Sequence, residues 1–309
     1  MERKSFRKRS DPDQWYFDYL DRVNISTLRR RVKKFKKIRP CSMTDAEIRD
    51  DFDKVTAFGN RGPVIVQSTI EEGHVFFRLR GFPENASEVL KDSFYWEPSP
   101  EKVQIGRANR PGEPKLYLCT DLVTPTLEKL EEGEGGLMVV YEQYSPITHD
   151  LPVYTKANIK NESEKIQKAN SAVNGFIEML FRETENDGNW TKEEIHRMMS
   201  VITSEMMENS NSDAFSIPSS RHEKSYNFVF QIPGKDRLKI LGALFVIRDN
   251  NTSRIMFEEG GLCMIEDKIE YVAMDHPDFK KLLRRIHRHY IDAIGKEIFD
   301  IDRMKFIFE

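Results

Sequence analysis

Four polar side chains sit where apolar neighbours would normally exclude them. Arg78 lies inside the run VFFRLR, Tyr117 in LYLC, Glu128 in the short apolar stretch TPTLE, and Ser219 in the turn IPSSR just before an apolar run led by Asn227. A basic, glycine-flanked loop, Gly106 to Gly112 (GRANRPG), precedes Tyr117 and carries Arg107 and Asn109. Burying a polar group without a partner costs roughly 1–3 kcal/mol, so these residues must either satisfy one another or meet a ligand. In the first reading Arg78 and Glu128 form an ion pair and Tyr117 is core. In the second, an arginine fork supplies donors for oxyanions, a carboxylate faces developing positive charge, and a hydroxyl orients a polar ligand.

The common catalytic signatures are missing. The chain has no GxxxxGK[ST], no GxGxxG after a strand, no HExxH and no GxSxG, which removes the usual nucleotide-cradle, metalloprotease and esterase readings. His287 and His289 stand two apart on a predicted helix and point to different sides, a poor geometry for chelation, so no metal is expected. Cys41, Cys119 and Cys263 are odd in number and lack CxxC spacing. Cys119, in an apolar strand, reads as inert core.

In this order and spacing, the residues resemble the RES domain family, named for its Arg, Glu and Ser. The elements are Arg78 in FFRLRG, Gly106, Arg107, Asn109 and Gly112 in GRANRPG, Tyr117 in LYL, Glu128 in TPTLE, Ser219 in IPSSR and Asn227 in YNFVF, over about residues 62–235. Leu79 stands where the family often has an aromatic, and Ala108 where it often has a tryptophan.

The resemblance implies an NAD-degrading enzyme, commonly a toxin restrained by a cognate antitoxin, on a core similar to ADP-ribosyltransferase toxins. Carried over, Glu128, Arg78 and Ser219 would be catalytic, with Arg80 competing with Arg78 for the first role, and Arg78, Arg107, Asn109, Tyr117, Ser219 and Asn227 would hold NAD, which is substrate rather than resident cofactor. Cleaving the nicotinamide–ribose bond builds oxocarbenium-like charge on the sugar, and a carboxylate such as Glu128 can face it. Arg78 would take the pyrophosphate with help from Arg107. The acceptor stays open between water and phosphate, and a homodimer stays open too. One rival keeps the fold and transfers ADP-ribose to a protein. Another is a non-enzymatic nucleic-acid-binding protein that uses the basic N-terminus.

The elements that must position these residues follow from periodicity. Strands are expected at Val64–Val66, Val75–Arg80, Lys115–Cys119, Gly136–Tyr141, Ala214–Arg221, Tyr226–Gln231, Leu238–Ile247, Thr252–Phe257, Gly261–Ile265 and Ile269–Met274. Helices are expected near Trp15–Tyr19, from Ser26 to Lys37, and over Ser42–Phe58, Asp121–Glu131, Lys160–Arg182, Lys192–Asn209 and Pro277–Phe299. The fold expected is α/β (α+β), with two packed mixed or antiparallel sheets flanked by helices. A basic helical extension (1–60) precedes a RES-like domain (61–309).

Composition bounds the rest. The 309 residues carry 48 basic and 51 acidic side chains, a net charge of −3, so global charge argues for neither a nucleic-acid coat nor a membrane-surface protein. The first forty residues are different, with 14 Arg and Lys against 5 Asp and Glu. Their basic run RRRVKKFKK is expected to pack as a solvated face on an acidic patch of the same chain, so nucleic acid is not an expected partner. No apolar run approaches the roughly 18 residues of a membrane span. A cytoplasmic protein, with no membrane partner, is the expectation.

Overall fold

The computed structural model describes residues 18–56, 66–151, 162–182, 187–208, 210–220, 225–248, 255–294, 299–300 and 305–306. Trp15, Tyr16 and Phe17, expected in a first helix, lie outside them, as do Val64, Ile65, Arg221 and residues 252–254; residues 18–22 are helical.

The helices are α1 (Ile25–Phe35), α2 (Asp45–Thr56), α3 (Val123–Lys129), α4 (Glu164–Arg182), α5 (Lys192–Glu208), the short α6 (Ile232–Lys235) and α7 (Pro277–Ile294). The strands are β1 (Val66–Ile70), β2 (Val75–Arg80), β3 (Leu116–Cys119), β4 (Gly135–Gln143), β5 (Ile147–Leu151), β6 (Ala214–Pro218), β7 (Tyr226–Phe230), β8 (Leu238–Arg248), β9 (Ile255–Ile265) and β10 (Lys268–Ala273), with a separate pair β11 (Phe299–Asp300) and β12 (Lys305–Phe306).

The protein is thus mixed α/β. Where two packed sheets were expected, β1 to β10 hydrogen-bond as one ten-stranded sheet in the order β1-β5-β6-β7-β3-β2-β4-β8-β9-β10. Every neighbouring pair is antiparallel except β5 and β6. A parallel pair needs a long crossover, and here α4 and α5 lie within it. The expected strands Thr252–Phe257 and Gly261–Ile265 belong to one strand, β9, which pairs with both β8 and β10.

Apolar residues cover both faces of the central strands, which is why GLMVVY reads as a continuous apolar run rather than an alternation. On one face Val75, Phe77 and Leu79 pack with Leu122 and Leu130 of the α3 region and with Phe279, Leu282 and Ile286 of α7. Further along, Phe215, Ile217 and Val229 pack with α4 and α5. The other face gathers Phe76, Leu118, Val139, Tyr141, Phe228 and Ile240 with Phe94 and Tyr95.

The N-terminal helices share this core. Leu28 and Phe35 of α1 and Ile48 and Phe52 of α2 belong to the same apolar cluster as Phe176, Trp190 and Met198. Asn24 caps α1 by accepting the Thr27 N–H at 3.0 Å, and Phe35 meets Phe176 and Trp190 edge-on at 5.3 and 6.0 Å. The basic run does not pack on an acidic patch: Arg29, Arg30, Arg31, Lys33, Lys34 and Lys37 are exposed and enter no ion pair among the described residues. No helix among the described residues is long and apolar enough to cross a membrane.

Phe35, 2% exposed, joins α1 to α4. Phe35→Ala should therefore destabilise the whole protein by about 3–5 kcal/mol, the cost of a large core truncation. A urea-unfolding midpoint within error of wild type would mean that α1 is not integral to the fold.

Candidate active site

The chain leaves β3 at Asp121, whose carboxylate accepts the Thr124 N–H at 2.7 Å and the Thr124 hydroxyl at 2.8 Å. This satisfies a donor that the first turn of α3 would otherwise leave open. Asp121 also accepts the Ser225 hydroxyl at 2.8 Å, tying α3 to the residue before β7. From behind, Leu122 donates its N–H to the Tyr290 hydroxyl. His289 bridges two strands, with Val75 N–H donating to Nδ1 at 3.4 Å and Nε2 lying 3.2 Å from Thr120 O. An accepting Nδ1 and a donating Nε2 describe a neutral ring, and burial pushes the His289 pKa down in agreement.

Glu128 sits in the last turn of this anchored helix. Its Oε1 accepts the Ser219 hydroxyl at 2.6 Å and the Asn227 amide at 2.9 Å. The partners are 91 and 99 residues away in sequence and almost fully buried, whereas Glu128 is half-buried. Its second oxygen, Oε2, makes no hydrogen bond among the described residues.

Each donor is itself aimed. Cys119, opposite Asn227 across the β3–β7 ladder, donates its thiol to Asn227 Oδ1 at 2.8 Å, which turns the NH2 group toward Glu128. Burial pushes the Cys119 pKa well up, and the charges of Glu128 and Asp121 add to it, so the sulfur keeps the proton it donates. Cys119 is therefore a positioning residue as well as core. Ser219 follows β6; its N–H donates to Ser225 O at 2.9 Å, and its carbonyl accepts from Arg182 at 2.8 Å.

Arg182 ends α4. The preceding carbonyl, Phe181 O, accepts from the Arg107 guanidinium, so Arg107 and Arg182 reach the Glu128 neighbourhood through adjacent residues. Arg107 is also held by its carbonyl, which accepts the Thr203 hydroxyl at 2.9 Å. His196 of α5 lies close by: burial, then Arg107, Lys192 and Lys129, push its pKa down. Arg107, Lys192 and Lys129 thus form a cluster of cations around His196.

The loop before β3 is locked from within. The Tyr117 hydroxyl donates to Asn109 Oδ1 at 2.8 Å and accepts the Ala108 N–H at 2.9 Å. Asn109 donates to Gln104 O at 2.8 Å and Arg110 O at 3.1 Å. A Cβ on Gly106 would stand 2.4 Å from Asn109 Oδ1, so the first glycine of the loop is required by close approach. Tyr117 and Asn109 thus shape the loop that carries Arg107.

Arg78 needs correction. Phe77 pairs with Cys119 and Cys119 with Asn227, so this row shares the face of Glu128. The β2–β4 register is continuous from Val75 to Arg80, and side chains alternate along a strand, so Arg78 points to the opposite face. There it donates to Trp96 O at 2.7 Å and Tyr95 O at 3.2 Å. Arg80 shares that face, 4.4 Å from the Phe94 ring centroid. No Arg78–Glu128 ion pair forms, and neither arginine converges with the carboxylate.

Among the described residues no group of three or more His, Cys, Asp and Glu stands ready to hold a metal. No protein-family profile, curated protein or solved structure matches this chain.

Two expectations follow. Cys119→Ala should leave Asn227 Oδ1 without its donor and cost about 1–3 kcal/mol, and Cys119→Ser should recover most of it; equal melting temperatures for the two variants would discount the thiol. His74, 4.4 Å from His289 ring to ring, has its pKa lowered to about 3 from 6.5 by burial, then by His289 and His149. The native state refuses a proton that the unfolded chain accepts, so stability is full above about pH 6.5 and falls as pH drops towards 3. Urea titrations at pH 7 and pH 5 should differ by about 1–2 kcal/mol for this histidine, and His74→Gln should flatten the difference.

Proposed function

We propose that this chain is an NAD-consuming enzyme that cleaves the nicotinamide–ribose bond, with water or phosphate as acceptor. The observation that carries the reading is Glu128, with one oxygen fixed by Ser219 and Asn227 and the other unbonded among the described residues, while Arg182 holds the carbonyl of that same Ser219 and Arg107 the adjoining Phe181 carbonyl. A ribosyl cation needs a fixed negative charge, and the pyrophosphate joined to it needs positive charge a few ångströms away.

In this reading Oε1 stays with its two donors and Oε2 faces the ribose. The carboxylate gains attraction as positive charge builds on the sugar, so it favours the transition state over the bound dinucleotide. Nicotinamide departs as a neutral base with the electrons of the broken bond. Water adding to the sugar carbon yields ADP-ribose and one proton, whereas phosphate yields the phosphorylated sugar. Arg107 takes the pyrophosphate role first assigned to Arg78, and Arg78 holds the segment of Tyr95 and Trp96.

The RES-like core, the role of a growth-inhibiting toxin or defence effector, an antitoxin partner and a homodimer belong to the same proposal. The free thiols of Cys41, Cys119 and Cys263 accord with a cytoplasmic site of action, where NAD is plentiful.

Purified protein incubated with NAD, with and without phosphate, should release nicotinamide. Glu128→Gln should slow release by roughly a hundred- to a thousand-fold, and Arg107→Gln should act mainly on KM. Arg78→Gln should lower the melting temperature with little change in KM. Absence of nicotinamide release by the wild-type protein would overturn the reading, and label transferred from NAD to a macromolecule would redirect it to a protein ADP-ribosyltransferase.

A further inference from the structure

The outer side of α1 gathers exposed cations that enter no ion pair among the described residues. At about 100° per residue, Arg29, Arg30, Lys33 and Lys34 fall within an arc of about 140°. Leu28, Val32 and Phe35 occupy the opposite side and enter the core. Arg31 flanks the arc, Lys37 follows in the next turn, and all six cations are exposed.

Elsewhere nearby, cations have partners: Arg39 with Glu194, Arg49 with Glu205, Lys54 with Asp50 and Asp51, Lys165 with Asp21. The six enter no ion pair among the described residues. The helix dipole favours Lys33 and Lys34 in the last turn but offers little to Arg29, Arg30 and Arg31 a turn earlier. Arg29 and Lys33, like Arg30 and Lys34, are i,i+4 pairs of like charge that repel. The face is therefore retained against a local cost to the helix.

We infer that this face of α1 docks on the phosphate backbone of double-stranded DNA, without reading sequence. Protein interfaces deplete lysine at their centres and use apolar anchors, and the cationic arc carries no exposed apolar side chain. Single strands are gripped through stacked aromatics, and the aromatic ring here, Phe35, is buried. A helix about 10–12 Å across suits the major groove of B-form DNA, about 12 Å wide, whereas the groove of an RNA duplex is deep and narrow. The inference is independent of the NAD reading and is tested without NAD.

The test measures fluorescence anisotropy of a labelled 20-base-pair duplex titrated with the full chain. Engagement of four to six phosphates gives log K against log salt a slope of about −3.6 to −5.4, so affinity should fall roughly 150- to 2,000-fold between 50 and 200 mM salt. Replacing Arg29, Arg30, Lys33 and Lys34 together by Gln should abolish binding at 100 mM salt with the melting curve unchanged. Neutralising Lys281, Arg284 and Arg288, the exposed cations of α7, should leave affinity within twofold. The inference is overturned if the α1 variant binds as wild type, if the α7 variant loses binding instead, if duplex RNA or single strands bind more tightly, or if polyglutamate of matched charge displaces the DNA as well as unlabelled duplex does.

Discussion

A single carboxylate oxygen holds three distant stretches of this chain together. Glu128 Oε1 receives one donor from the end of β6 and another from β7, while its helix is tied to β7 through Asp121 and Ser225. Buried donors of this kind are costly to leave unmet. The ten-stranded sheet must therefore bring β6, β7 and β3 side by side to meet α3. The order β6-β7-β3 does so, with Ile217, Asn227 and Cys119 aligned in one row.

The surroundings of that oxygen divide into positioning groups and charged groups. Cys119, Thr124, Ser225, Tyr290 and His289 hold the backbone and the Asn227 amide in place. Arg107 and Arg182 are the charged groups tied to this neighbourhood by contacts. The two guanidinium groups meet at the C-terminal end of α4, where Phe181 O accepts that of Arg107 and Arg182 contributes the other. Helix carbonyls at this end lack intrahelical partners and attract cations, so the crossover helix is also an electrostatic anchor.

Much of this is legible in residue patterns, for reasons that differ by element. β2, β3, β7 and α3 can be located because aromatic and β-branched runs end at glycine, proline or aspartate. β5 escapes notice because Thr148, His149 and Asp150 look like loop. They are satisfied within the sheet, His149 by Ser216 at 2.7 Å and Asp150 by Ser212 at 2.6 Å. The meeting of Glu128, Ser219 and Asn227 is foreshadowed by type and order, but the place of Arg78 is not. Alternation sets Arg78 and Phe77 on opposite faces, yet only the register of β2 on β3 decides which face carries Glu128, and register is a tertiary fact. Arg182, Lys129, Lys192 and His196 carry no motif at all; their signal is proximity.

The crossover between β5 and β6 also governs when this site can exist. Asn227 lies 108 residues beyond the thiol that orients it, with two long helices encoded in between. Contacts of such sequence separation form late, because closing a long loop costs entropy before any contact repays it. A nascent chain halted before β6 already carries α3 and its glutamate but lacks both hydroxyl and amide donors. Its carboxylate stays unaligned until most of the chain has been synthesised.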